Sequence, residues 1–100
     1  MRVFSLRTLR EFWEQHPDAE TPLRAWHRLA LKANWQTLAE VRSEISNADA
    51  VHTRSGVLTV FNIGGNKYRL IVRMRYEFQR IFIRAILTHE EYDEGKWKEQ

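Results

Sequence analysis

Val57-Leu58-Thr59-Val60-Phe61-Asn62-Ile63-Gly64-Gly65-Asn66-Lys67-Tyr68-Arg69-Leu70-Ile71-Val72-Arg73-Met74-Arg75-Tyr76 reads as two strands joined by a tight turn. Both flanks are rich in β-branched and aromatic residues. Gly64-Gly65 accepts the positive φ that a hairpin turn demands. The second flank alternates: Tyr68, Leu70, Val72, Met74 and Tyr76 fall on one face, and Arg69, Ile71, Arg73 and Arg75 on the other. One face of this hairpin is therefore built for a core. The other is basic.

Downstream, Glu77 to Gln79 make a second turn, and Arg80 to Leu87 form a third strand. Strict alternation puts Ile81, Ile83, Ala85 and Leu87 on the apolar face, and Arg80, Phe82, Arg84 and Ile86 opposite. Thr88-His89-Glu90-Glu91-Tyr92-Asp93 closes the sheet and starts a helical turn, and a charged tail from Glu94 is expected to fray.

Upstream the texture is helical. Met1 to Phe4 predicts a short strand, and Ser5 a helix cap. Leu6, Leu9, Phe12 and Trp13 recur at helical spacing until His16-Pro17 stops the helix. A second helix starts at Pro17 or Pro22, the latter with Thr21 as cap. It turns Leu23, Trp26, Ala30 and Ala33 inward and ends near Asn34. Thr37-Leu38-Ala39-Glu40 is a capping-box pattern for a third helix that runs to about Glu44. Ser46 to Gly56 is polar and is expected to be an exposed loop. Helices first and strands after predict one α+β domain over residues 1–100. In it an N-terminal strand and two to three helices pack on one face of a mostly antiparallel sheet of about four strands.

Composition narrows the function. The chain has 100 residues, no cysteine and a formal net charge of +3. Without cysteine there is no disulfide scaffold, thiol nucleophile or Cys-based zinc site, and a reducing cytoplasm is expected. No stretch approaches the length of a membrane span, and no secretory leader is visible. Residues 1–50 hold seven Lys/Arg against seven Asp/Glu, whereas Gly64 to Arg84 hold six basic residues against Glu77 alone. Such a local excess attracts phosphates.

The four histidines, His16, His27, His52 and His89, lie in different elements without HxH or HExxH spacing, so no metal is expected. Gly64-Gly65-Asn66-Lys67 lacks the rest of a phosphate-loop frame and is a hairpin turn. No Ser-His-Asp set can be assembled. What remains is a cluster of Asn66, Lys67, Arg69, Arg73, Arg84, His89 and Tyr92. Cleaving a phosphodiester without metal or cofactor needs a proton acceptor for a ribose 2′-OH, cations on the phosphate and a proton donor for the departing oxygen. Lysine and arginine meet the second need. His89, an imidazole, can meet the first or third, and Tyr92 can stack on a base or donate a proton.

Several runs carry a resemblance. They are Val60 to Leu70 (VFNIGGNKYRL), Phe82-Ile83-Arg84, Thr88 to Asp93 (THEEYD), Leu9 to Glu14 with His16 to Ala19, and Pro22 to Trp26. In this order, over nearly the whole chain, they resemble the HigB toxins of the RelE-like superfamily. The resemblance implies a RelE-like fold and an mRNA interferase that cuts mRNA on the translating ribosome. It implies a HigA-type helix-turn-helix antitoxin as partner, through which the complex binds operator DNA. It places Arg69 by the Tyr-Arg-Leu strand, and His89 and Tyr92 at the end of the last strand. Where RelE has lysines on the preceding strand, this chain has Asn62, and then Asn66 and Lys67 after the turn. The expected catalytic set is Lys67, Arg69, Arg73, His89 and Tyr92. The expected RNA contacts are Asn62, Asn66, Arg75 and Arg84. Strict alternation sets His89 and Arg84 on opposite faces, so the last strand is predicted to end or twist near Thr88 to bring both to one site.

Two other functions fit the same hairpin: a non-catalytic RNA- or ribosome-binding module, and a domain whose arginines dock on an acidic protein. Salt-dependent binding without cleaved product marks the first. A neighbouring helix-turn-helix gene would favour the toxin.

Overall fold

A computed structural model describes residues 1–99. Strand β1 spans Arg2–Phe4, helix α1 Leu6–Gln15, α2 Glu20–Lys32 and α3 Leu38–Glu44. The remainder is β2 Asp49–Thr53, β3 Gly56–Ile63, β4 Tyr68–Arg75, β5 Arg80–Thr88 and α4 His89–Glu94. The five strands form one sheet in the order β1-β5-β4-β3-β2, with β1 parallel to β5 and every other pair antiparallel. The α+β class and the helical layer on one face agree with the sequence reading, and the sheet gains one strand.

That extra strand is β2, inside the segment expected to be a loop. Asp49 pairs with Val60 and Thr53 with Gly56, so the hairpin closes through Arg54 and Ser55. An edge strand needs apolar residues on one side only, and polar ones guard its open edge against other chains. Within β2, Val51 packs on a core cluster, and one such residue leaves the strand without an alternating signature.

The main core lies between the helices and one sheet face. Leu9, Leu23, Trp26, Ala30 and Val41 meet Phe61, Ile63, Leu70, Val72, Ile81 and Ile83 there. His16 ends α1, and Pro17–Ala19 forms a 3-10 turn before α2. Thr37 caps α3, its Oγ1 accepting from the Glu40 amide at 3.2 Å. The return bond of the capping box is displaced by one residue: Glu40 Oε1 accepts from the Gln36 amide. Ser5 differs from expectation. Its backbone is left-handed (φ 76°) and its side chain caps nothing, the turn being closed by its carbonyl oxygen accepting from the Thr8 amide. The Met1 ammonium donates to the carbonyls of Ala30, Leu31 and Ala33, a positive charge at the negative end of α2.

Two departures shape the other face. Ile71 pairs with Ala85 but Val72 with Ile83, so Arg84 is an extra residue, a β-bulge in β5. The bulge reverses the parity read from strict alternation. Ile86 joins the helix-side core, whereas Ala85 and Leu87 move to the other face. The tail also folds where fraying was expected. After Gly95, Lys96–Glu99 makes a 3-10 turn, and Trp97, 8% exposed, packs with Leu58, Val60 and Ile71. The tail's charge concealed Trp97, which anchors the described part of it. Trp97→Ala should lower stability by about 2 kcal/mol. A urea midpoint unchanged by that substitution would mean that Trp97 contributes nothing to the fold.

Candidate functional site

Register brings Lys67, Arg69, His89 and Tyr92 to one corner of the sheet and leaves Arg73 farther along β4. Tyr68 sits opposite Thr88 and Arg69 opposite Leu87, so the start of β4 meets the end of β5 and the first turn of α4. Gly64 and Gly65, with φ of 64° and 71°, return the chain into β4. The His89 amide then donates to the Lys67 carbonyl at 2.9 Å, fastening α4 to the turn. Thr88 caps α4 with a full capping box through Glu91.

Arg69 is 8% exposed and faces away from the helices. It donates from Nη1 to the carbonyls of Asn66 (3.2 Å) and Tyr68 (3.1 Å), and from Nη2 to Asn66 Oδ1 (2.6 Å). Its Cζ lies 5.5 Å from the centre of the Tyr92 ring, which in turn stacks on Trp97 at 5.0 Å. Guanidinium, phenol and indole thus form one pile, with Arg69 fixed before any ligand arrives. Burial pushes the Tyr92 hydroxyl above the usual tyrosine range, and the Arg69 charge works against that rise. Tyr92 is therefore a protonated phenol at neutral pH.

His89 lies at the edge of this corner. Its Nδ1 is 3.0 Å from Asp93 Oδ2, one helical turn on. An Nδ1–H donated to that carboxylate leaves Nε2 as the free lone pair of the neutral ring. Asp93 was not among the expected site residues, although the His-x-x-x-Asp spacing on a helix announces the pair.

Lys67 points the other way, to the helical layer. Its Nζ is 2.8 Å from Asp18 Oδ2, and the Tyr68 hydroxyl donates to Asp18 Oδ1 at 2.5 Å. Asp18, Lys67, Tyr68, Thr88, His89 and Glu90 line an open cleft of about 450 Å³. The hydrogen bond from Lys67, then that from Tyr68, holds the Asp18 carboxyl below the usual range, and Asp18 raises both Lys67 and Tyr68. Nothing local in the sequence marks Asp18, which stands 49 residues from Lys67.

A depressed carboxylate stabilises the fold above its unfolded pKa, and that contribution disappears as pH falls through the folded value. Asp18→Asn should therefore be less stable than the parent at neutral pH. The gap should close as the solution is acidified below the ordinary aspartate value of 3.8. Urea midpoints for both proteins across pH 2 to 7 test this, and a gap independent of pH would rule out the carboxylate charge as its source.

The remaining candidates are spread along the open face. Asn62 pairs with Arg69 across β3 and β4, and its amide donates to Asn47 Oδ1. Asn66 has its side-chain oxygen engaged by Arg69. Arg73 lies four residues along β4, about 13 Å from Arg69. Its Nη2 donates to the Ser55 carbonyl at 2.5 Å and its guanidinium lies over Gly56. Arg75 pairs with Glu77 at the far turn. β5 does end at Thr88, but Arg84 and His89 line separate clefts. Arg84 sits with Leu58, Ile71, Ala85 and Trp97, a placement set by the bulge. Among the described residues, no group of three or more His, Cys, Asp or Glu is placed to hold a metal ion. No described helix is long and apolar enough to cross a membrane.

Comparison with known proteins agrees with this architecture. The chain is 27% identical over 93 residues to the "mRNA interferase toxin HigB" of Escherichia coli (strain K12), an alignment that covers 93% of this chain and 88% of that one. The "mRNA interferase HigB" of Shigella flexneri matches to the same extent, and that of Escherichia coli O6:H1 over 89% of its length. The HigB_toxin family model, described as the RelE-like toxic component of a toxin-antitoxin system, matches residues 19–95, from the turn before α2 to the end of α4. The chain belongs to the HigB toxin family.

Proposed function

We propose that this chain is an endoribonuclease toxin that cuts mRNA on the translating ribosome and is silenced by a HigA-type antitoxin, the pair binding operator DNA through the antitoxin. The observation that carries the proposal is the Arg69–Tyr92 pair at the β4–β5–α4 corner, with His89 and Lys67 lining the cleft beside it. The kinship with mRNA interferases supports it.

The chemistry follows from those groups. The 2′-oxygen attacks the adjacent phosphorus, and the bond to the 5′-oxygen breaks. The products are a 2′,3′-cyclic phosphate and a free 5′-OH. His89 Nε2, with Asp93 orienting the ring, takes the proton from the 2′-OH. Arg69 gives the phosphate preorganised donors, and exchanging Asn66 for phosphate oxygens costs it little reorientation. Tyr92, held as a phenol, supplies a proton to the departing 5′-oxygen. Lys67 reaches the phosphate by leaving Asp18, a surface pair that holds it weakly. Arg73, anchored at Ser55, and Arg75 and Arg84 bind the strand away from the broken bond.

Inducible expression followed by mapping of mRNA ends tests the proposal. Cuts should fall within translated codons, should carry 5′-OH ends, should persist in EDTA with purified ribosomes, and should vanish when a neighbouring antitoxin gene is co-expressed. Intact mRNA in arrested cells would refute it and favour a non-catalytic ribosome-binding module.

A further inference from the structure

The open sheet face carries a second pile of rings and guanidiniums at its opposite end. Phe4 and Phe82 stack across the β1–β5 pair, with centroids 5.0 Å apart and planes 15° from parallel. Phe78, in the β4–β5 turn, is 59% exposed. Arg2 lies 5.3 Å from the Phe4 ring. Arg80 lies 6.0 Å from Phe4 and 5.9 Å from Phe78, and Arg75 5.8 Å from Phe78. Glu77 pairs with Arg75 at this end of the sheet.

A folded domain gains little by leaving a phenylalanine mostly in water at a turn, where a polar residue would serve. An exposed ring between guanidiniums fits one kind of ligand well. Bases stack on the ring or on the guanidinium planes, and phosphates pair with the charges. An acidic polypeptide would use the arginines and leave the ring idle. The chemistry repeats that of the Arg69–Tyr92–Trp97 pile. Arg75 lies six residue steps along β4 from Arg69, about 20 Å. Arg73 and Arg84 lie on the same face between them.

We propose that Phe4, Phe78 and Phe82, with Arg2, Arg75 and Arg80, form a second station for single-stranded RNA. It holds a base and its phosphates on the same strand, several nucleotides from the bond cut beside Arg69. This rests on the endoribonuclease reading and adds to it where the rest of the substrate runs. The station fixes the register of the strand and takes no part in the bond-breaking step.

The test uses the full chain and fluorescent oligonucleotides of about four and about twelve nucleotides, with 2′-deoxy sugars so that they bind uncut. The parent should bind the longer one more tightly. Phe78→Leu, which keeps an exposed apolar side chain but removes the stacking plane, should weaken the longer oligonucleotide about tenfold and leave the shorter one unchanged. Arg80→Gln should reduce the salt slope for the longer oligonucleotide by about one. Equal binding of the longer oligonucleotide by parent and Phe78→Leu would overturn the station, as would equal losses on both lengths. A parent that binds neither length also overturns it, and leaves mRNA cleavage on ribosomes as a separate readout. A parent that shows the length effect yet cuts no mRNA keeps the station and loses the nuclease reading.

Discussion

Arg69→Ala is expected to reduce mRNA cleavage by about 100- to 1,000-fold, the range seen when one preorganised transition-state donor is removed. Cells expressing it should grow, and their mRNA ends should match those of uninduced cells. Arg69→Lys should rescue little, because an ammonium lacks the planar fork that meets two phosphate oxygens at once. The fold should survive with a moderate loss. Asn66 Oδ1 and two carbonyls lose their donor, at a cost of about 1–3 kcal/mol. A variant with that melting loss and full toxicity would reduce Arg69 to a brace for the Gly64–Lys67 turn.

The largest effect on stability is expected at Phe61. Its side chain is fully buried in β3, and its ring meets Trp26 of α2 at 5.5 Å in an edge-on contact. Phe61 stands opposite Leu70 near the middle of the sheet, where the helical layer rests on it. Phe61→Ala should cost about 3–5 kcal/mol through lost burial and the cavity left behind. A domain of this size has roughly 5–15 kcal/mol in all, so the variant should be close to unfolding at growth temperature. Urea unfolding followed by circular dichroism measures the change. A loss under about 1 kcal/mol would show that the sheet and helices are held together elsewhere.

These two residues were legible to different degrees. Phe61 lies in a strand whose composition and glycine turn announce it, and its burial follows from the apolar face. Arg69 was marked by its place after Tyr68, but its lock onto Asn66 and Tyr92 depends on a turn geometry that no periodicity encodes. The loop reading of Ser46 to Gly56 failed because an edge strand carries half a pattern. The alternation of β5 failed after Ile83 because a bulge inserts one residue without a glycine or proline to flag it. Asp93 could have been paired with His89 by spacing alone. Asp18 could not, because its partners stand 49 and 50 residues away in the sequence.

By itself the sequence determined the class of the fold, the order of its elements and the basic hairpin, since these follow from local periodicity, turn chemistry and charge. It also determined, through motifs spread along the chain, the kinship with HigB toxins. Tertiary structure decided which charges stand together. The bulge at Arg84 and the end of β5 at Thr88 set Arg84 beside Trp97 and His89 in a separate cleft. The pairing of β4 with β5 brought Arg69 against Tyr92, set His89 in the cleft beside them and left Arg73 farther along the sheet. Side-chain convergence depends on register and on chain reversals, both fixed by long-range pairing, so it appears only when the whole sheet is assembled.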